Sequence, residues 1–169
     1  MATARTAADL VVGVGARPGV DAAEILALID AALRELGVPA GAVRLLATVA
    51  ARRDEAGIVA AADHHRWPVA GYPPHRLATV DVPHPSAAAR AALGTPSVAE
   101  AACLLPLDPD LDPAAPRPVL LLPKRTGRRA TIAVARHSPH RAHTSGWPGQ
   151  APRRTTSSRS GVSGSVPRP

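Results

Sequence analysis

Leu10-Val11-Val12-Gly13-Val14-Gly15, running through Ala16-Arg17-Pro18-Gly19-Val20 to Asp21, is the stretch whose reading decides the fold. A short β-branched run ending in glycines reads as a buried first strand. Asp21 is a natural N-cap, with Glu24 three residues on in the capping-box position. Ile25, Leu28, Ile29, Ala32, Leu33 and Leu36 then share one helical face, and Gly37 is placed to end the helix as its C-terminal cap.

The same alternation continues outward. Val43 to Val49 reads as a second strand, Asp54 to His65 as a helix, and Trp67 to Tyr72 as a short third strand. Strand, helix, strand, helix, strand in that order argues for an α/β fold with parallel strands and helices on both faces. Pro73-Pro74 breaks the chain, and one helical turn is expected over His75 to Ala78. Ser86 should cap a helix of small residues running to Leu93 and stopped by Gly94. Ser97 should cap another that runs to about Leu105. Pro106 to Pro118 has no periodicity and reads as an exposed loop. Val119 to Leu122 and Thr131 to Ala135 read as two further strands, joined closely enough to form an antiparallel hairpin. The expected architecture is a three-layer α/β/α domain over residues 10–136, with a mixed, mostly parallel sheet and a C-terminal hairpin. Residues 1–9 are expected to form a flexible leader. Residues 137–169, rich in Ser, Thr, Pro, Gly and Arg, are expected to form a disordered basic tail.

The chain has 169 residues and a formal net charge of +7. Residues 1–136 hold 15 Lys and Arg against 13 Asp and Glu, whereas residues 137–169 hold five Arg and no acid. The excess therefore sits in the tail, and a nucleic-acid-binding reading, which needs a basic patch on the folded surface, is set aside. A single cysteine, Cys103, lies in an apolar run and is expected to be a buried structural thiol. No run approaches the eighteen or so apolar residues of a membrane span, and no signal peptide is evident, so a cytoplasmic protein without membrane contact is expected. Two Trp, one Tyr and no Phe leave the core to Ala, Val, Leu and Ile.

The first loop has the spacing G-x-G-x-x-x-G, which departs from the dinucleotide fingerprint G-x-G-x-x-G. No acidic residue follows Val49 to hold a ribose. The loop is better suited to presenting backbone N–H groups and Arg17 to an anion, although its glycines could serve only to make the turn. Arg52-Arg53-Asp54-Glu55 follows the second strand, where the acids could equally be favourable charges at a helix start. Ser97 and Glu100 have the S-x-x-E spacing of a capping box, which by itself explains both, while the Gly94-Thr95-Pro96 turn could also receive a carboxylate. His137, His140 and His143 are three apart, but Pro139 and the surrounding composition argue against a metal site. His64-His65, at a helix end, is expected to be solvated or to interact with the helix dipole.

Four blocks occur in order: the glycine-rich loop from Gly13 to Gly19, the Arg52–Glu55 turn, Gly94-Thr95-Pro96-Ser97-Val98-Ala99-Glu100-Ala101-Ala102, and Lys124 ahead of Thr131-Ile132-Ala133-Val134-Ala135-Arg136. Together they resemble the signature of the CobE / CbiG C-terminal domain family of cobalamin biosynthesis. The resemblance places the family's D-x-K-x-x-E block on Ala50, Arg52 and Glu55. The aspartate is lost at Ala50, and Arg52 keeps the charge of the lysine but not its hydrogen-bond geometry.

The resemblance implies a protein that binds or helps process a precorrin or cobalt-precorrin intermediate, with other enzymes of the pathway as further partners and no cofactor. Gly15, Arg17, Gly19, Arg52, Gly94, Thr95, Ser97 and Lys124 are the implied substrate-binding residues, and the cations among them suit a ligand edged with carboxylates. One alternative is a cobalt-precorrin-5A hydrolase that opens the corrinoid lactone with loss of acetaldehyde. Glu55 or Glu100 would then be its catalytic base, and Lys124 or loop N–H groups would stabilise the oxyanion. The other alternative is a non-corrinoid anion- or dinucleotide-binding module.

Overall fold

The computed structural model describes residues 8–94, 97–107 and 116–138. Among these residues five strands and five helices follow in the order β1 (Leu10–Ala16), α1 (Ala22–Leu36), β2 (Val43–Val49), α2 (Ala56–His65), β3 (Val69–Tyr72), α3 (Pro74–Ala78), α4 (Ala87–Leu93), α5 (Val98–Leu104), β4 (Val119–Thr126) and β5 (Ala130–Arg136). The sheet order is β3-β2-β1-β5-β4. β1, β2 and β3 pair in parallel, and β5 pairs antiparallel with both β1 and β4. Four of the five strands therefore point the same way, and the expected α/β class with a mixed, mostly parallel sheet is what forms.

Period-2 alternation divides the sheet between two layers of helices. Leu10, Val12, Val14, Leu46, Ile132 and Val134 pack against Ile25, Ile29, Ala32 and Leu33 of α1 and Ile58, Ala61 and Ala62 of α2. On the other face Val11, Ala47, Val49, Ala133 and Ala135 pack against α5 and against Leu77 of α3. Gly13 shows how close α5 lies. A Cβ there would overlap the Ala99 carbonyl and come within 3.0 Å of the Cys103 nitrogen, so only glycine lets the helix seat on β1.

Several boundaries differ from the sequence reading. A 3-10 turn over Ala50–Arg52 delays α2 to Ala56, and β3 begins at Val69. β4 runs through Lys124 to Thr126, which shortens the hairpin turn to Gly127–Arg129. Ser86 caps α4, its Oγ accepting from the Ala89 N–H at 3.3 Å. Neither Asp21 nor Ser97 makes a side-chain cap bond, so neither expected capping box forms. Glu24 turns to the C-terminal hairpin, where Oε1 accepts from the N–H groups of Arg129 (2.6 Å) and Ala130 (3.1 Å). These bonds, the Arg129 one foremost, pull its carboxyl below the usual range.

The ordered fold includes His137, which the sequence reading assigned to the tail. Its N–H donates to the Asp9 carbonyl at 2.8 Å, and its buried ring donates from Nε2 to the Cys103 carbonyl at 2.8 Å. Burial holds this imidazole below its ordinary pKa and raises that of the buried Cys103 thiol, which fits the structural role expected of the cysteine. His65 stacks on Trp67, with ring centroids 4.2 Å apart. His140 and His143 lie outside the described residues, as does most of the 106–118 loop. Among the described residues no helix is long and apolar enough to cross a membrane.

Candidate functional site

The parallel strands deliver their C-terminal ends to one edge of the sheet, and the chain departs from β1 and β2 there into α1 and α2. α5 starts at the same edge, because Val98 and Ala99 lie beside Gly15 while Cys103 lies beside Gly13. An open α/β sheet gathers ligands at such an edge, next to the strand where the connections change direction. Here that strand is β1, with β2 and β3 laid down on one side of it and β5 and β4 on the other.

Two hydrogen-bonded clusters flank this edge. The first joins the β1–α1 loop to the start of α2. Glu55 precedes that helix, and its Oε1 accepts the Gly19 N–H at 2.9 Å while Oε2 lies 3.4 Å from Arg52 Nη1. Gly19 has φ +71°, a backbone state that favours glycine and aims its N–H at the carboxylate. Gly57 is needed for the same reason of space, since a Cβ there would overlap the Val20 carbonyl. The Arg17 N–H is held by the Arg129 carbonyl at 2.8 Å, and its side chain is exposed. The Arg129 guanidinium in turn donates to the Pro18 carbonyl. The loop is thus fastened on both sides, by Glu55 and by the hairpin.

The second cluster centres on Glu100, which is fully buried. Its Oε1 accepts from the Lys124 N–H (3.0 Å) and from His84 Nδ1 (3.0 Å), and its Oε2 accepts from the His84 N–H (3.2 Å). The Lys124 N–H is available because the β4–β5 register slips between Leu122 and Arg125. Lys124 Nζ then crosses to the carbonyls of His84 (2.8 Å) and Pro85 (3.5 Å). Glu100 thus ties together α5, the segment before α4, and an edge strand.

The site residues expected from sequence fall into these groups. Gly19, Arg52 and Glu55 come together in the first cluster, with Arg17 on the same loop. Glu100 and Lys124 come together in the second. Gly15 lies near the end of β1 and Ser97 at the start of α5, and Gly15 packs beside Val98 and Ala99. Gly94, with φ +67°, is the C-terminal cap of α4, and Thr95 lies outside the described residues. Among the described residues no hydrogen bond joins the two clusters. Both glutamates are engaged by donors rather than standing free as bases. His84 is the residue that sequence reasoning missed. It stands in Pro83-His84-Pro85, sixteen residues before Glu100, at a spacing that signals no motif.

A mixed three-layer α/β domain with polar clusters at the C-terminal edge of its parallel strands defines the class. The chain belongs to the CobE / CbiG C-terminal family of cobalamin biosynthesis: the family described as "Cobalamin synthesis G C-terminus" matches residues 10–135. It is 35% identical over 135 residues to "Protein CobE" of Sinorhizobium sp, covering 79% of this chain and 83% of the relative. It is 30% identical over 126 residues to "Cobalt-precorrin-5A hydrolase" of Priestia megaterium, covering 75% of this chain but 32% of the hydrolase, so it spans about a third of that enzyme. Among solved structures, the crystal structure of CobE, described as a protein from the cobalamin (vitamin B12) biosynthetic pathway, superposes with a TM-score of 0.67 at 36% identity, covering 76% of this chain and 90% of CobE.

Proposed function

We propose that this cobalamin-biosynthesis protein binds a precorrin-type intermediate across the C-terminal edge of its sheet, with Arg17, Arg52 and Lys124 receiving carboxylates from the rim of the macrocycle. The observation that carries this reading is the fastened first loop. Glu55 and Arg129 hold its backbone from both sides, which fixes the place from which the exposed Arg17 reaches out, and a pre-ordered loop binds a carboxylate with less ordering cost. On this reading Gly15, Gly19, Gly94 and Ser97 line the ligand's edge. On this reading the protein works in the cytoplasm beside other enzymes of the pathway, and the tail beyond the domain takes no part in binding.

Titrating the full chain with precorrin intermediates and following the chromophore's absorption tests the reading. Saturable change at micromolar concentration supports it, and no change with any of them overturns it.

Hydrolysis is a second reading, favoured by the likeness to part of a cobalt-precorrin-5A hydrolase. Release of acetaldehyde from cobalt-precorrin-5A is its assay. Because Glu55 and Glu100 are both occupied by backbone N–H groups, their role on this reading is to position neighbours.

A further inference from the structure

His84 is held more firmly than a solvated surface histidine requires. Its N–H and its Nδ1 both meet the buried Glu100 carboxylate, and its carbonyl accepts from Lys124 Nζ. Since the carboxylate oxygen accepts, Nδ1 carries the hydrogen, and the neutral ring must then bear its lone pair on Nε2. The side chain is 53% exposed while that of Glu100 is 0% exposed, so a fixed imidazole stands on a buried carboxylate at the protein surface. A carboxylate behind Nδ1 fixes the tautomer and the ring orientation, the arrangement that prepares an imidazole to bind a metal ion.

The described residues do not gather such an ion by themselves. Among the described residues no group of three or more His, Cys, Asp or Glu could hold one. A single prepared imidazole suits instead an ion whose other positions are already filled by a planar macrocycle. Imidazole is a good ligand for late first-row metals. Lys124 stands in the same cluster as His84, so this rim cation and the imidazole nitrogen would face one ligand.

We propose that His84 Nε2 is an axial ligand to the cobalt of a cobalt-bearing, carboxylate-edged tetrapyrrole, with Glu100 as the residue that positions it. The proposal rests on the reading that a precorrin-type macrocycle lies at this edge, and it specifies the metal-containing form. Coordination replaces a water or leaves an open axial position filled, with no change of oxidation state.

The experiment uses two probes that differ only in the metal: cobyrinic acid reduced to cobalt(II), and metal-free hydrogenobyrinic acid. Each is titrated into the full chain by absorption, and the cobalt(II) complex is examined by electron paramagnetic resonance. The wild type should bind the cobalt form about 10-fold or more tighter than the metal-free form, as expected for a metal–ligand bond. Each cobalt line should be split by one axial nitrogen. His84→Ala should remove both the preference and the splitting. His84→Asn keeps a donor towards Glu100 but lacks the outer nitrogen, so it should behave like His84→Ala with the local fold preserved. Equal binding of the two probes without nitrogen splitting overturns the proposal and leaves the binding reading standing. Splitting that persists in His84→Asn also overturns it. If neither probe binds, this proposal falls, and the binding reading is decided by the titration with precorrin intermediates. If both bind alike and His84→Asn abolishes only turnover of cobalt-precorrin-5A, the residue moves a proton instead, and the ligand role is refuted.

Discussion

On the face covered by α1 and α2 the sheet presents Leu10, Val12, Val14, Leu46, Ile132 and Val134, whereas on the face covered by α5 it presents Gly13, Gly15, Ala47, Ala133 and Ala135 beside the branched Val11 and Val49. The first face fills its space with branched side chains. The second is built mostly from Gly and Ala, and at Gly13 the backbone of α5 comes within contact of β1. That closeness brings the ends of a seven-residue helix to polar partners on both sides. Glu100 in its first turn reaches Lys124 and His84, and the Cys103 carbonyl near its last reaches His137. The contrast teaches that bulk on one face supplies stability, while smallness on the other lets polar groups be buried with their partners close to the candidate site.

Truncation on the branched face should have the largest effect. Ile29→Ala removes a fully buried side chain from the middle of α1 and should cost about 2–5 kcal/mol, read from urea denaturation. On the other face the smallest possible addition should do comparable damage. Gly13→Ala adds one carbon against the Ala99 carbonyl and should cost roughly 1–3 kcal/mol, with a shift of α5 that lowers amide-exchange protection at Lys124 and His84. A neutral Gly13→Ala would break the comparison, because it would mean that the helix is not seated as closely as described.

Arg17→Ala should leave the denaturation midpoint in place while weakening precorrin binding by ~1–3 kcal/mol, the range for a charge-assisted contact. A parallel loss of stability would instead assign Arg17 to the fold. The smallest effect expected is on pH dependence. Burial depresses His137, so the unfolded chain takes up its proton more readily than the folded one. The stability His137 contributes is therefore complete above the ordinary imidazole value of about 6.5 and declines as pH falls below it. Denaturation curves between pH values of about 7.5 and 5.5 should show this slope, and His137→Asn should flatten it.

Much of the fold was legible because the relevant signals are local. The β-branched runs located β1 and β2, with β2 running from Val43 to Val49 as read, and Gly37 and Gly94 marked helix ends, both with positive φ. The candidate site was less legible, and the two glutamates show why. Glu24 and Glu100 each stand three residues after a good N-cap, and both spacings read as capping boxes. In the fold both carboxylates turn away to the β4–β5 hairpin, one to Arg129 and Ala130 and the other to Lys124. Those donors lie 105, 106 and 24 residues away along the chain, beyond the reach of any local pattern. Lys124 itself read as a residue of the hairpin loop, because nothing in Pro123-Lys124-Arg125 announces the register slip that keeps it within β4. His84 carried no signal, since its meaning depends on a carboxylate that reaches it only once α5 has docked.

The pairing of β1 with β5 also sets an order of events during synthesis. Leu10 lies opposite Arg136, and the Asp9 carbonyl receives the His137 N–H, so the first strand made is completed on one side by the last. While a ribosome is still producing the segment before β4, β1 can pair with β2 but must leave its other edge open. An open hydrophobic strand edge invites association with other chains. The sheet closes only after β5 has left the exit tunnel.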